Sequence, residues 1–174
     1  FSCSHRKQAS IHKITKFIDK SFAGPLLKKE IDSINLIVKN KKEPVTCIIG
    51  GSKISTKINV ITSLIEKINN LVIVGAMANN FFTYKNLKVG KSLIESNTKE
   101  TIRKIYDKAK NNNCEIIIPL DCVVGNSFEG EGKNKNLDQI EENEIILDIG
   151  SNTVKRIKQI IEQSKTVLWN GPAG

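Results

Sequence analysis

Long apolar runs, metal-ligand spacings and aromatic side chains are all scarce in this chain, and each scarcity excludes something. No apolar stretch among the 174 residues approaches the roughly 20 needed to cross a bilayer, so no transmembrane helix is expected. The first residues, Phe1-Ser2-Cys3-Ser4-His5-Arg6, lack the apolar core of a signal peptide. The four cysteines, at 3, 47, 114 and 122, show no two-residue spacing. Only two histidines are present. Neither a zinc or redox site nor a Ser–His–acid set can be argued from such a set. Cys47 and Cys122 sit in apolar runs and read as core thiols of a reduced, cytoplasmic protein. Aromatics make up 5% of the chain, and the net charge of +9 comes from scattered lysines without a dense basic run. That pattern reads as a soluble, anion-tolerant surface, with no nucleic acid and no membrane as partner.

What is present suffices for one ordinary globular domain: 39% hydrophobic and 26% charged residues, too apolar for disorder. Three apolar runs end in glycine-bearing turns. Val45–Ile49 leads into Gly50-Gly51-Ser52-Lys53, Leu71–Val74 into Gly75-Ala76-Met77-Ala78, and Thr166–Trp169 into Asn170-Gly171-Pro172-Ala173-Gly174. Short runs rich in Val and Ile and bounded by Gly read as buried parallel strands. Loops at the carboxyl ends of such strands share one crevice, where ligands bind. Glycines there let backbone N–H groups approach an anion. A phosphorylated ligand is expected at Gly51, Gly75 and Gly171.

The rest of the chain fits that frame. Leu27, Ile31, Ile34 and Val38 at helical spacing, with Pro25 in the first turn, predict a helix over 25–39. A polar linker, 40–44, follows. Ile54, Ile58, Ile61, Leu64, Ile65 and Ile68 predict a helix after the first glycine turn. A short helix is expected over 78–84. Asn97 and Glu100 read as a capping box for a helix through Lys110. Short strands are expected at 116–118, 122–124 and 145–147, a long exposed loop at 125–138, and a last helix carrying Val154, Ile157, Ile160 and Ile161. Alternating strands and helices imply an α/β fold with a mostly parallel sheet. Trp169 is expected in the core.

Gly50-Gly51-Ser52-Lys53-Ile54-Ser55-Thr56-Lys57 is the strongest chemical element. Lys53 and Lys57, four residues apart at an expected helix start, fall on one face. Two ammoniums beside a positive helix terminus suit phosphate. The plainer alternative is a tight turn and a solvated helix face. Gly90-Lys91-Ser92 imitates the tail of a Walker A loop, but Lys85 stands where its first Gly is required, so a surface turn is expected. His5-Arg6-Lys7 can be a carboxylate or phosphate grip or a solvated basic turn.

Taken in order, these segments resemble the phosphoglycerate kinase family. Ser4-His5-Arg6 is similar to its A-H-R segment, Ala23–Glu30 to the start of its interdomain helix, and Gly50–Lys57 to its G-G-A/S-K-x-x-x-K signature. Gly75–Asn79 resembles G-G-M-A-N, Val89–Leu93 matches V-G-K-S-L, and Leu147–Gly150 and Trp169–Pro172 complete the series. Two departures are visible: Gln8 stands where most members have His, and Ala76 where they have a third Gly.

The resemblance implies a Rossmann-like, doubly wound parallel sheet within a two-domain, hinge-closing kinase. The reaction implied is reversible phosphoryl transfer between 1,3-bisphosphoglycerate and Mg-ADP, giving 3-phosphoglycerate and ATP. It implies that residues 1–22 end a phosphoglycerate-binding domain, 23–43 form the interdomain helix and linker, and 44–174 belong to a nucleotide-binding domain. By motif, His5 and Arg6 touch phosphoglycerate, Lys53 steadies the transferring group and Lys57 holds nucleotide phosphate. Gly51, Ser52, Gly75, Leu147, Asn170 and Pro172 line the nucleotide site. The Mg ligand of the family lies outside these residues, and a monomer is the family expectation. Lacking an initial Met and ending in a loop, the chain reads as an internal fragment, inactive by itself. The rival reading is a non-catalytic α/β nucleotide- or RNA-binding module, suggested by the charge alone.

Overall fold

The computed structural model describes every residue except Phe1, Ser2, His5 and Asn40. The chain divides into two compact units, Phe1–Lys41 and Lys42–Gly174.

In the first unit, two short helical turns, Ala9–Lys13 and Ile14–Phe17, precede helix α1 (Pro25–Lys39). Pro25 opens α1 because its fixed φ suits a first turn and its missing N–H has no helical partner to lose. Lys28 and Asp32, one turn apart, form an exposed ion pair of 2.6 Å, worth a few tenths of a kcal/mol, about 0.3–0.5.

The second unit holds two sheets. Strands β1 (Val45–Ile49), β2 (Asn70–Ile73), β3 (Glu115–Ile117) and β7 (Thr166–Asn170) form a parallel sheet in the order β3-β2-β1-β7. Helices cover both faces. Cys47, Ile49, Leu71 and Ile73 pack against α2 (Ile58–Ile65), α3 (Ala76–Tyr84) and α4 (Lys99–Asn111). The alternate residues Ile48, Val72 and Val74 pack against α5 (Ser151–Gln163). A strand sends successive side chains to opposite faces, so a run that is apolar throughout fits only a sheet covered twice. Phe81 and Phe82 of α3 are fully buried, each burial worth about 1.5–3 kcal/mol. The doubly wound α/β architecture is as the sequence implied.

The second sheet is antiparallel and was not foreseen. It comprises β5 (Lys133–Asn136), β4 (Asp121–Gly125) and β6 (Ile145–Ile149), in the order β5-β4-β6. Residues 133–136 are therefore strand, where the sequence led to an exposed loop. Lys-Asn-Lys-Asn carries no apolar alternation, and backbone pairing with β4 holds it instead.

Three further expectations are corrected. The helix after the first glycine turn begins at Ile58, with Lys57 at its N-cap, so Lys53 lies in the preceding loop and shares no helix face with Lys57. Asn97 does not cap α4: it sits at φ 60°, Thr98 occupies the N-cap and no side chain caps the helix. Trp169 is 55% exposed on the edge strand β7, its indole N–H donating to the Gly171 carbonyl at 2.8 Å.

Candidate functional site

β1, β2 and β7 run parallel with Ile49 opposite both Ile73 and Asn170, so their C-terminal loops leave the sheet at one end. Backbone bonds weave those loops together. Gly50 N–H donates to Asn170 O at 2.9 Å, Gly75 N–H to Ala173 O at 3.0 Å, and Met77 N–H to Gly51 O at 2.7 Å. The weave depends on Gly50, where a methyl group would collide with the Pro172 carbonyl. Gly51, Gly75 and Gly171 thus share one mouth, as the strand rhythm predicted.

Lys57 enters this mouth from the N-terminal end of α2. Its ammonium donates to Asn170 Oδ1 at 2.5 Å and passes over Gly51, whose added Cβ would lie 3.8 Å from Nζ. Lys57 is half-buried while Asn170 and Pro172 are exposed. A cation at a helix N-terminus opposes the helix dipole, and an anion bound there would offset that opposition. Ser52 and Lys53 are exposed on the loop between. The loop is anchored by Glu95, which accepts the Ser55 N–H at 3.1 Å. Hydrogen bonds from Ser55 hold the Glu95 carboxyl below its usual range, and the nearby Lys53 ammonium adds to the effect.

Leu147 arrives from the other sheet. With Gly75, Ala76, Asn79, Phe82 and Gly174 it lines a mostly apolar cleft of about 170 Å³. Flat walls of glycine, alanine and leucine suit an apolar or heteroaromatic ring, and the polar mouth beside them suits its charged substituents. Gly75 and Ala173 border both. Phe128 also lines the cleft, although 82% exposed. Sequence reading missed Phe128; the available signal was a lone aromatic in a polar, glycine-bearing stretch. A second groove of about 450 Å³, between Ile48, Val74, Val154, Ile157 and Trp169, lies on the α5 face and offers no comparable set of anion donors.

Asp121 is the other group that sequence reading missed. It is fully buried at the start of β4. Its carboxylate accepts the N–H of Asn152 at 2.9 Å and of Thr153 at 2.8 Å, the Thr153 hydroxyl at 2.6 Å and Asn134 Nδ2 at 3.0 Å. It therefore caps α5, whose N-cap, Gly150, has no side chain to offer. Burial pushes its carboxyl upward, but the hydrogen bonds from Thr153, Asn152 and Asn134 outweigh that and leave it lowered. The core thiols behave oppositely: burial raises Cys47 and Cys122 to about 12, so neither supplies a thiolate nucleophile. All four cysteines are free.

Of the other residues expected at a site, Arg6 is exposed in the first unit and His5 lies outside the described residues. Among the described residues no three His, Cys, Asp or Glu side chains gather as a metal site, and no helix is long and apolar enough to cross a membrane.

A family model described as phosphoglycerate kinase matches residues 1–174. A curated phosphoglycerate kinase from Wolbachia sp. subsp. Drosophila simulans (strain wRi) is 44% identical over 175 residues, taking in 100% of this chain and 44% of that protein. One from Bartonella tribocorum is 40% identical over 176 residues, with the same shares. The solved phosphoglycerate kinase of Coxiella burnetii superposes with a TM-score of 0.81 at 34% identity, covering 87% of this chain and 40% of that one. That of Pyrococcus horikoshii OT3, at 23% identity, shares the fold with a TM-score of 0.75 over 99% of this chain and 44% of its own. The chain thus spans 44% of the length of these curated relatives, and it belongs to the phosphoglycerate kinase family.

Proposed function

We propose that this chain is part of a phosphoglycerate kinase that moves a phosphoryl group between 1,3-bisphosphoglycerate and ADP. In the forward direction the bond from phosphorus to the acyl oxygen breaks and a bond from phosphorus to a terminal ADP oxygen forms. The products are 3-phosphoglycerate and ATP. Residues 1–22 close a phosphoglycerate-binding domain, 23–43 are the interdomain helix and linker, and 44–174 belong to the nucleotide-binding domain. The protein works as a cytoplasmic monomer on these small molecules. Family membership supports this reading, and one observation carries it: the Lys57 ammonium held by Asn170 over Gly51, where three parallel strand ends meet.

The residues then divide the labour. The base occupies the Gly75–Leu147 cleft, and Gly51, Ser52, Asn170 and Pro172 border the phosphates. Lys57 binds a nucleotide phosphate, with Asn170 fixing its direction. Lys53, on the loop, follows the transferring group. Phosphoryl transfer asks the protein for positioning and charge stabilisation, with little covalent chemistry, and an ammonium fixed at the glycine mouth supplies both. Magnesium enters with the nucleotide. The described residues show no acidic cluster suited to it, and no step assigned to these side chains depends on their holding a metal. Arg6 and His5 bind phosphoglycerate, Arg6 through bidentate geometry.

Incubating the full-length protein with ATP, 3-phosphoglycerate and hydroxylamine tests the reaction. A hydroxamate, formed by trapping the acyl phosphate, is the expected product. ATP hydrolysis without hydroxamate, or no turnover, would overturn the assignment. In the same enzyme Arg6→Ala is expected to raise the phosphoglycerate KM about tenfold, in line with a lost charge-assisted bond, and to leave the ADP KM unchanged. An equal loss for both substrates would make Arg6 a support of the fold.

A further inference from the structure

The Gly90-Lys91-Ser92 turn that imitates a Walker A tail does not belong to the glycine mouth. It grips the second sheet instead. Gly90, at φ 55°, lies so close to the Glu141 and Glu144 carbonyls that a methyl group there would collide with both. Lys91 N–H donates to Glu144 O at 2.7 Å. Ser92 is 7% exposed, and its hydroxyl oxygen accepts the backbone N–H of Ile146 at 2.8 Å. On the far side Lys135 of β5 pairs with Glu141 and Glu144, each at 2.8 Å, so the 141–144 turn is held from two directions.

β6 is the edge strand of its sheet, and its pairing with β4 slips by one residue at the gripped position. Val123 faces Asp148 and Val124 faces Ile146, so Leu147 is the extra, unpaired residue of a β-bulge. Bulges bend a strand and re-aim the side chain they carry. The residue carried by this bulge, Leu147, lines the cleft together with Gly75. As an edge strand, β6 has a ladder partner on one side only; on the other, the Ile146–Ser92 bond holds it one residue from Leu147.

We propose that Ser92 is a positioning residue for the nucleotide site: its hydroxyl holds the bulge that sets Leu147 against the base. It touches no substrate and acts only through Ile146 and Leu147. The proposal rests on reading the Gly75–Leu147 cleft as the nucleotide site. It gives the V-G-K-S-L segment a role in nucleotide binding without any phosphate contact.

The test uses the full-length enzyme and separates the two substrates. Ser92→Ala leaves the Ile146 amide without its partner and is expected to raise the ADP KM about five- to tenfold. Both kcat and the phosphoglycerate KM should stay within about twofold of wild type. Ser92→Cys keeps the shape but weakens the acceptor; it should fall between and serves if the alanine variant does not fold. Ser164→Ala is the control. It deletes a hydroxyl bonded to Thr46 at 2.7 Å, at the opposite end of the parallel sheet, and should leave the ADP KM unchanged. An unchanged ADP KM in active Ser92 variants, a joint rise for both substrates, or an equal rise in Ser164→Ala would overturn the proposal and leave the functional reading standing. Absence of phosphoglycerate kinase activity in the wild-type full-length protein would overturn both.

Discussion

Lys57→Ala in the full-length enzyme is expected to lower kcat/KM by on the order of a hundredfold while the melting temperature barely moves. Lys57 stands at the N-cap of α2 with its side chain directed to Asn170 Oδ1. Its removal leaves Asn170 exposed to water and opens no cavity in the core, so the stability change should stay within about 0.5 kcal/mol. The ligand meets a different situation. A phosphate that loses a charge-assisted hydrogen bond loses about 1.5–3 kcal/mol, and more if the bond strengthens as charge shifts in the transition state. Steady-state kinetics with both substrates, set beside a thermal melt, check the two halves together. Wild-type activity in the variant would return 50–57 to an ordinary turn.

Asp121→Ala is expected to do the reverse, removing on the order of 3 kcal/mol of stability without touching a substrate. Four donors converge on this buried carboxylate, two of them backbone amides of the first turn of α5. Alanine removes the acceptor of the buried Thr153 amide and of the Asn152 and Asn134 amides, and leaves the Thr153 hydroxyl only the Asp121 carbonyl. The effect depends on pH. The folded-state pKa is lowered below the ordinary aspartate value of 3.8, so the unfolded chain takes up the proton first as the solution is acidified. The stability that the ionised group contributes is whole above that value and is lost as pH falls through the folded-state pKa. Urea unfolding of wild type and Asp121→Ala at neutral pH and across the acid range should show a wide gap that narrows in acid. A gap independent of pH would mean that the carboxylate's charge is not what caps α5.

Much of the parallel sheet was legible because burial on both faces writes itself into sequence. Val45–Ile49 is apolar at every position but Thr46, and its shortness and the two glycines after it favour a strand over a buried helix. The antiparallel sheet was not legible. β5 is Lys-Asn-Lys-Asn, and pairing with Asp121–Val124 of β4 makes it a strand. Asp121 was hidden for a related reason: its partners lie 13 to 32 positions away, and no local pattern announces a cap supplied by another element. Trp169 misled because an aromatic at a strand end is commonly covered; β7 lies at the sheet edge, which leaves the ring exposed. Lys57 lies beside Gly51 and Asn170, but not by the helix geometry its spacing suggested. The helix begins four residues later than its apolar spacing suggested, so Lys57 reaches the mouth from the N-cap, and Lys53 approaches from a loop.

A crystal structure of the full-length protein with ADP tests the central claim most directly. A nucleotide phosphate within hydrogen-bonding distance of Lys57 Nζ, together with the base between Gly75 and Leu147, is the predicted result. ADP bound elsewhere, with Lys57 still on Asn170 and the Gly75–Leu147 cleft empty, would contradict it.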